Sequence, residues 1–216
     1  MKLVVFGANS PTGRLVTAMA VTAGHTVTAI TRRPADFPFF DFRVQAAAAD
    51  AMDADAVDWV VRDHDAVVSV IGSPPSMSPV TVCSQVTYNI VKAMINHGVR
   101  RLLCVGSVDL DAPDLSRVSL RRQRAIRPLV LALSRAVQED VRGMEGIVRE
   151  TGLDWTVFRP GRLLSGSHVT DYRTTVRPLP CPLTSRADIA HALVRELTNG
   201  DHLGETVFVT SARRMR

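Results

Sequence analysis

The sequence predicts an α/β protein: a single-domain, doubly wound parallel sheet with helices on both faces. Three observations carry that expectation. Apolar, β-branched runs of strand length recur along the chain, helical patterns alternate with them, and the first run ends in a tight turn of small residues, "GANSPTG", directly before a helical stretch. The runs are rich in β-branched residues, and the first and fourth are nearly continuous in apolar residues, which is the pattern of a sheet buried on both faces.

In order, "KLVVF" reads as a strand and 11–23 as its helix, followed by "HTVTAIT" and a loop, then "FRVQAAA" and a helix over 53–62. "DAVVSVIG" precedes a helix over 80–97, and "RRLLCVGS" a helix near 134–151. "DWTVFRPG", a helix near 186–198 and a last strand "ETVFVT" complete the chain. Neither a repeat nor a linker interrupts this alternation, so one domain over 1–216 is expected, with substrate-side segments near 108–133 and 160–185.

With 216 residues, 46% hydrophobic and 22% charged, the chain can bury a full core. No apolar stretch approaches the ~20 residues of a membrane helix. The apolar start is broken by Gly7 and Asn9, unlike a leader peptide, so no membrane association and a cytoplasmic location are expected. Cys83, Cys104 and Cys181 are odd in number and far apart, which points to buried thiols and neither a disulfide framework nor a metal. Asp63-His64-Asp65 reads as a polar loop. The net charge of +5 is spread along the chain without a DNA-binding helix or an aromatic RNA motif, so no nucleic-acid partner is expected. The densest basic cluster, "RVSLRRQRAIR" at 117–127, is either a solvated face or an anion-binding one. Oligomeric state is left open, because an apolar helix face reads alike in a core and at an interface.

The turn after the first strand carries the chemistry. In a doubly wound sheet that turn directs free backbone N–H groups into the crevice at the carboxyl ends of the strands, where a diphosphate is the natural occupant. Gly7 permits the sharp exit, Asn9, Ser10 and Pro11 form the turn, Thr12 offers a hydroxyl, and Gly13 lets the helix approach the sheet. The second strand ends in Arg32 and Arg33, where an adenosine ribose would lie. Guanidinium groups there would pair with a 2′-phosphate, favouring NADP(H) over NAD(H), and two surface arginines closing a strand are the alternative. Asp50 after the third strand and Ile71, Gly72 and Ser73 after the fourth fall where adenine and the diphosphate-ribose would be contacted.

Carbonyl reduction by a Tyr acid calls for Lys one helical turn away and a Ser orienting the carbonyl. The pair Tyr88 and Lys92 has that spacing but lies in the helix before the fifth strand, not after the strand that ends in Ser107. Ser107 itself stands where it could bond a substrate or a nicotinamide amide, or simply cap the strand. A serine-hydrolase reading fails for want of a G-x-S-x-G elbow.

"GANSPTG", "GSPPSMSPVTVCSQVTYNIVKAMINHGVRRLLCVGS", "AVQEDVRGMEGIVRETGLDWTVFRPGRL" and "TSRADIAHALVREL" together resemble the atypical short-chain dehydrogenases with a Rossmann fold. Within them the likeness is to flavin reductase and biliverdin-IXβ reductase, with a wider likeness to NmrA-type NAD(P)-binding proteins. The resemblance implies NADPH-dependent reduction of flavins or linear tetrapyrroles without a Tyr acid. It also implies that Gly7, Ser10, Thr12 and Gly13 hold diphosphate, Arg32 the 2′-phosphate, and Asp50 with Ala51 the adenine. Gly72 would line the ribose path, Ser107 would sit beside the nicotinamide as the catalytic residue, and Pro160 with Leu163 would close the far side. The sequence departs from those relatives at Ser10, where they carry Gly, in the absence of aromatics after Ser107, and in a longer segment through the arginine cluster. Asp109, Arg121, Arg122, Arg124 and Arg162 are the candidate contacts to an anionic or flavin-like small-molecule substrate. A reductase and a non-catalytic NADP(H) sensor of the NmrA-like type are the two activities this pattern fits.

Overall fold

The computed structural model describes residues 1–38, 41–73, 76, 78–106, 120–178 and 183–212, with side chains from residue 135 onward in the helix that opens at Leu120. Its strands are β1 (Lys2–Phe6), β2 (Thr26–Thr31), β3 (Val44–Ala48), β4 (Ala66–Ser69), β5 (Arg101–Val105), β6 (Asp154–Pro160), β7 (Arg162–Leu164), β8 (Arg173–Thr175), β9 (Leu183–Ser185) and β10 (Glu205–Thr210). Its helices are α1 (Pro11–Thr22), α2 (Ala54–Val61), α3 (Val82–His97), α4 (Leu120–Arg149) and α5 (Arg186–Asn199).

Eight strands form the main sheet in the order β3-β2-β1-β4-β5-β6-β10-β8. Val4 of β1 pairs with Thr28 on one side and Val67 on the other, both in parallel register. The sequence order reverses at β1, so the turns after β1 and β4 diverge to opposite faces and open a crevice between them. Alternate β1 side chains explain the uniformly apolar strand. Val4 and Phe6 pack with α2, α3 and α4 in one core, and Leu3 and Val5 with α1 and α5 in the other. Each fully buried Val or Leu contributes about 1.5–3 kcal/mol over its exposed state, so a two-sided strand is doubly anchored.

Local chemistry sets the helix starts. Asp53 accepts the N–H groups of Asp55 and Ala56 to open α2, and Ser185 accepts that of Asp188 to open α5. The polar loop at Asp63-His64-Asp65 turns through a left-handed Asp63, at φ 62°, and His64 bridges the Thr28 hydroxyl and the Arg62 carbonyl.

The doubly wound α/β sheet expected from the sequence is present, with details the sequence did not show. One edge strand departs from the parallel pattern: β8 runs antiparallel to β10 at the far edge. The short strands β7 and β9, which form a parallel pair of their own, are too brief to carry a sequence period. And α4 begins at Leu120 and runs for 30 residues rather than starting near 134. Its arginines are good helix formers, but they and Pro128 hide the apolar period on which a helix is recognised.

Candidate functional site

At the carboxyl end of β1 the turn is built by two glycines and one serine. Gly7 takes φ +76°, and a Cβ on it would lie 3.2 Å from the Val70 carbonyl. A Cβ on Gly13 would lie 2.2 Å from the Gly7 oxygen and 2.7 Å from Ala8 Cα, both immovable backbone, so only glycine lets α1 start this close to the sheet. Ser10 caps α1: its N–H donates to the Gly7 carbonyl at 3.0 Å, and its Oγ accepts the Gly13 N–H at 3.0 Å. Pro11 fills the first helical position, where a missing N–H costs nothing. Thr12 is buried.

Around this turn lies a cleft of about 720 Å³, lined by residues from the ends of β1, β2, β3 and β4 and the start of α3. Of the residues expected to hold a cofactor, Gly7, Asn9, Ser10, Arg32, Arg33, Asp50, Ala51, Ile71, Gly72 and Ser73 all line it. Arg33 pairs with Asp36 at 3.4 Å, whereas Arg32 makes no ion pair among the described residues. Asp50 accepts the Met52 N–H at 3.0 Å. The buried Asn89 of α3 donates to the Ala51 and Met52 carbonyls at 3.1 and 3.2 Å, which fixes the wall after β3.

The wall after β4 is held from an unexpected side. Asp140, on α4 and 4% exposed, receives the Ser73 hydroxyl, the Cys83 and Ser84 N–H groups at 2.8 Å, and the Ser84 hydroxyl at 2.6 Å. Thr81, at the start of α3, makes no side-chain cap of its own; a carboxylate from another helix takes that role. Burial opposes ionisation of Asp140, yet the hydrogen bonds from Ser73, Ser84 and the Cys83 N–H outweigh it and hold the carboxyl below its ordinary range.

Other expected site residues lie elsewhere. Pro160 ends β6 and is buried, and Leu163 of β7 packs against the core beneath α5; neither lines the cleft. Arg162 is exposed on β7. Ser107 and Asp109 fall outside the described residues, as do the side chains of Arg121, Arg122 and Arg124, whose backbone belongs to the first turns of α4. Tyr88 is 54% exposed on α3, and neither it nor Lys92 lines the cleft.

Sequence reasoning missed Arg14, which donates from Nε and Nη2 to the Asn9 side chain, and Asp140. It also missed Glu145, fully buried beside Gly106, which takes two hydrogen bonds from Arg159 at 2.6 Å. The spacing of Asn9 and Arg14 was readable, but the long-range pairs left no local signal.

A sheet with its order reversing at β1, a glycine turn at that reversal and a cleft across the strand ends define a dinucleotide-binding Rossmann protein. The sequence profile of the NAD(P)H-binding family matches residues 7–200, and the chain belongs to that family. It is a nicotinamide-cofactor protein, and the turn at Gly7, Asn9 and Ser10 opens onto the cleft where such a ligand would lie. The fold is shared with a candidate exported protein from Burkholderia pseudomallei, 25% identical over 97% of this chain and 99% of that one, with a TM-score of 0.75. A candidate epimerase from Bacteroides thetaiotaomicron is 24% identical, covering 100% and 99% of the two chains at a TM-score of 0.76. An anaerobilin reductase from Escherichia coli O157:H7 superposes at 0.71 with 18% identity, covering 99% and 98%. Among the described residues no helix is long and apolar enough to cross a membrane.

Proposed function

We propose that the chain is an NADPH-dependent oxidoreductase that delivers hydride to a flavin-like or other conjugated small-molecule acceptor in the cytoplasm. The observation that carries the cofactor preference is Arg32: it stands at the cleft rim after β2 without an ion pair among the described residues, while its neighbour Arg33 is tied to Asp36. A guanidinium so placed matches a 2′-phosphate and gains nothing from a bare ribose.

The bound nicotinamide supplies the hydride. The protein's part is proximity and orientation: the turn from Gly7 to Gly13, of which Gly7, Asn9 and Ser10 line the cleft, would receive the diphosphate, with Asp50 and Ala51 flanking the adenine and Ile71 and Gly72 along the ribose path. The family resemblance would put Ser107 beside the nicotinamide, whereas Pro160 and Leu163, assigned to its far side, lie outside the described cleft. Asp109, Arg121, Arg122, Arg124 and Arg162 are the proposed contacts to the acceptor. A conjugated, electron-poor acceptor takes the hydride at its electrophilic ring atom, N5 in a flavin, and its proton from water, so no tyrosine acid is required. The same scaffold supports an anaerobilin reductase.

A second reading, a regulatory NADP(H) sensor without turnover, is favoured by one observation: the described cleft lining contains no Tyr, Lys or His to act as acid. NADPH oxidation with FMN, FAD, riboflavin and biliverdin, together with NADPH binding followed by fluorescence, decides between them. Turnover above the protein-free rate supports the reductase, and binding without turnover supports the sensor. Arg32→Ala is expected to weaken NADPH at least tenfold more than NADH. An equal loss for the two dinucleotides removes the 2′-phosphate assignment.

A further inference from the structure

We infer that Arg14 is a positioning residue for the dinucleotide: it locks the Asn9 amide so that the Asn9 side chain adds an oriented diphosphate donor to the backbone N–H groups this turn keeps free. The inference rests on the dinucleotide reading of the cleft.

The start of a helix normally presents several free N–H groups to an anion. Here most are spent. The Ser10 N–H is bonded to the Gly7 carbonyl and the Arg14 N–H to the Ser10 carbonyl, at 3.0 and 2.9 Å. Pro11 has no N–H, and the Gly13 N–H goes to the Ser10 hydroxyl at 3.0 Å. The Thr12 N–H is left in the first turn of α1, and the Ala8 and Asn9 N–H groups of the loop before it have no partner among the described residues. A diphosphate bears charge on both phosphoryl groups and accepts more hydrogen bonds than these N–H groups supply.

The Asn9 side chain adds to them. It lines the cleft, and its Oδ1 accepts from Arg14 Nε at 3.0 Å and Nη2 at 2.7 Å. A guanidinium only donates, so the oxygen of the amide must face Arg14 and the Nδ2 donors must face away from it. Two donors from one rigid plane also fix the amide's orientation, which a single contact would leave free to turn. Asn9 Nδ2 has no partner among the described residues, and Arg14 has no counter-ion there. The pair thus presents two amide hydrogens, backed by an uncompensated cation, at the mouth of the turn. Lysine could bring the charge but not the fork.

The test is affinity for NADPH and NADH at fixed ionic strength, with melting temperature recorded on the dinucleotide-free protein, for Asn9→Ala, Arg14→Met, Arg14→Lys and Asn9→Ala/Arg14→Met. Loss of one charge-assisted hydrogen bond predicts about a tenfold weakening for Asn9→Ala. Arg14→Met and Arg14→Lys should each lose a similar factor. The loss should be equal for the two dinucleotides, because the diphosphate is common to both, and the melting temperature should hold. With Asn9 already alanine, Arg14→Met should cost less than about twofold, since its partner is gone. Wild-type affinity in Arg14→Lys would mean that charge alone matters, and independent losses in the double variant would mean that Arg14 does not act through Asn9; either overturns the inference while leaving the cofactor reading intact. A wild-type protein that binds neither dinucleotide overturns both.

Discussion

The Asp140 carboxylate on α4 receives the Ser73 hydroxyl from the turn after β4 and, through the same two oxygens, the first N–H groups of α3. One side chain therefore joins the cleft wall to two helices. Asp140→Ala leaves the buried Cys83 N–H and the half-buried Ser84 N–H without an acceptor and is expected to cost about 3 kcal/mol, read from the denaturation midpoint. The carboxyl is held below its ordinary range when folded, so its contribution is complete above the unfolded value of about 4 and is lost as pH falls through the lower, folded one. Wild type should lose stability over that acid window, and Asp140→Asn should show a shallower loss there. Equal slopes for the two proteins would contradict the assignment.

Gly13→Ala places a methyl 2.2 Å from the Gly7 oxygen. Neither partner is a flexible side-chain end, so α1 must move away from β1. A destabilisation of about 3 kcal/mol is expected, together with loss of dinucleotide affinity. Gly72→Ala, where an added Cβ would meet nothing within 4 Å, serves as the neutral partner: thermal melts of the two should differ clearly.

The buried pair of Arg101 and Glu196, at 2.9 Å, lies away from the cleft and tests the frame alone. Glu196 also accepts the His202 N–H at 2.9 Å, and Arg101 donates to Thr156 Oγ1 at 3.0 Å. Glu196→Ala strands a buried cation and should cost about 3–5 kcal/mol, whereas replacing both members with methionine should recover much of that loss. Urea titrations of the single and double variants read the difference.

Burial pushes the Cys104 thiol up to about 12, with the nearby Cys83 and Glu145 adding to the rise. Burial also raises Cys83, against the Ser73 hydrogen bond. Thiolate is the reactive form, so in a Cys181→Ser background neither cysteine should react with a thiol reagent at pH 8 until denaturant is added. Rapid labelling of the folded protein would place one of them at the surface.

Much of this was legible beforehand because it rests on positions that one residue type alone can fill. Gly7 and Gly13 announced the turn, since no other residue survives the approach of α1 to β1. The unbroken apolar character of "KLVVF" announced a strand buried on both sides. Arg32 and Arg33 looked equivalent, and only the Asp36 contact separates them. Asp140 was illegible for a different reason: its partners lie 56 to 67 residues away, and a helix capped from another helix has no spacing signature. The length of α4 was hidden by an arginine-rich opening that reads as a solvated segment, although arginine favours helix. The short pairing of β7 with β9 depends on tertiary placement, not on propensity.

The serine at the middle of the glycine turn has a consequence for tempo. Because the Ser10 hydroxyl already holds the Gly13 N–H, α1 is complete before any anion arrives, and an incoming dinucleotide meets a finished surface instead of one it must order. Fewer contacts then have to break when it departs, and residence time is where affinity differences between related complexes mostly reside. Under the reductase reading proposed above, oxidised dinucleotide must be traded for reduced after every hydride, and brief occupancy is then an advantage. On that reading Ser10, a departure from the glycine pattern, would favour exchange over retention.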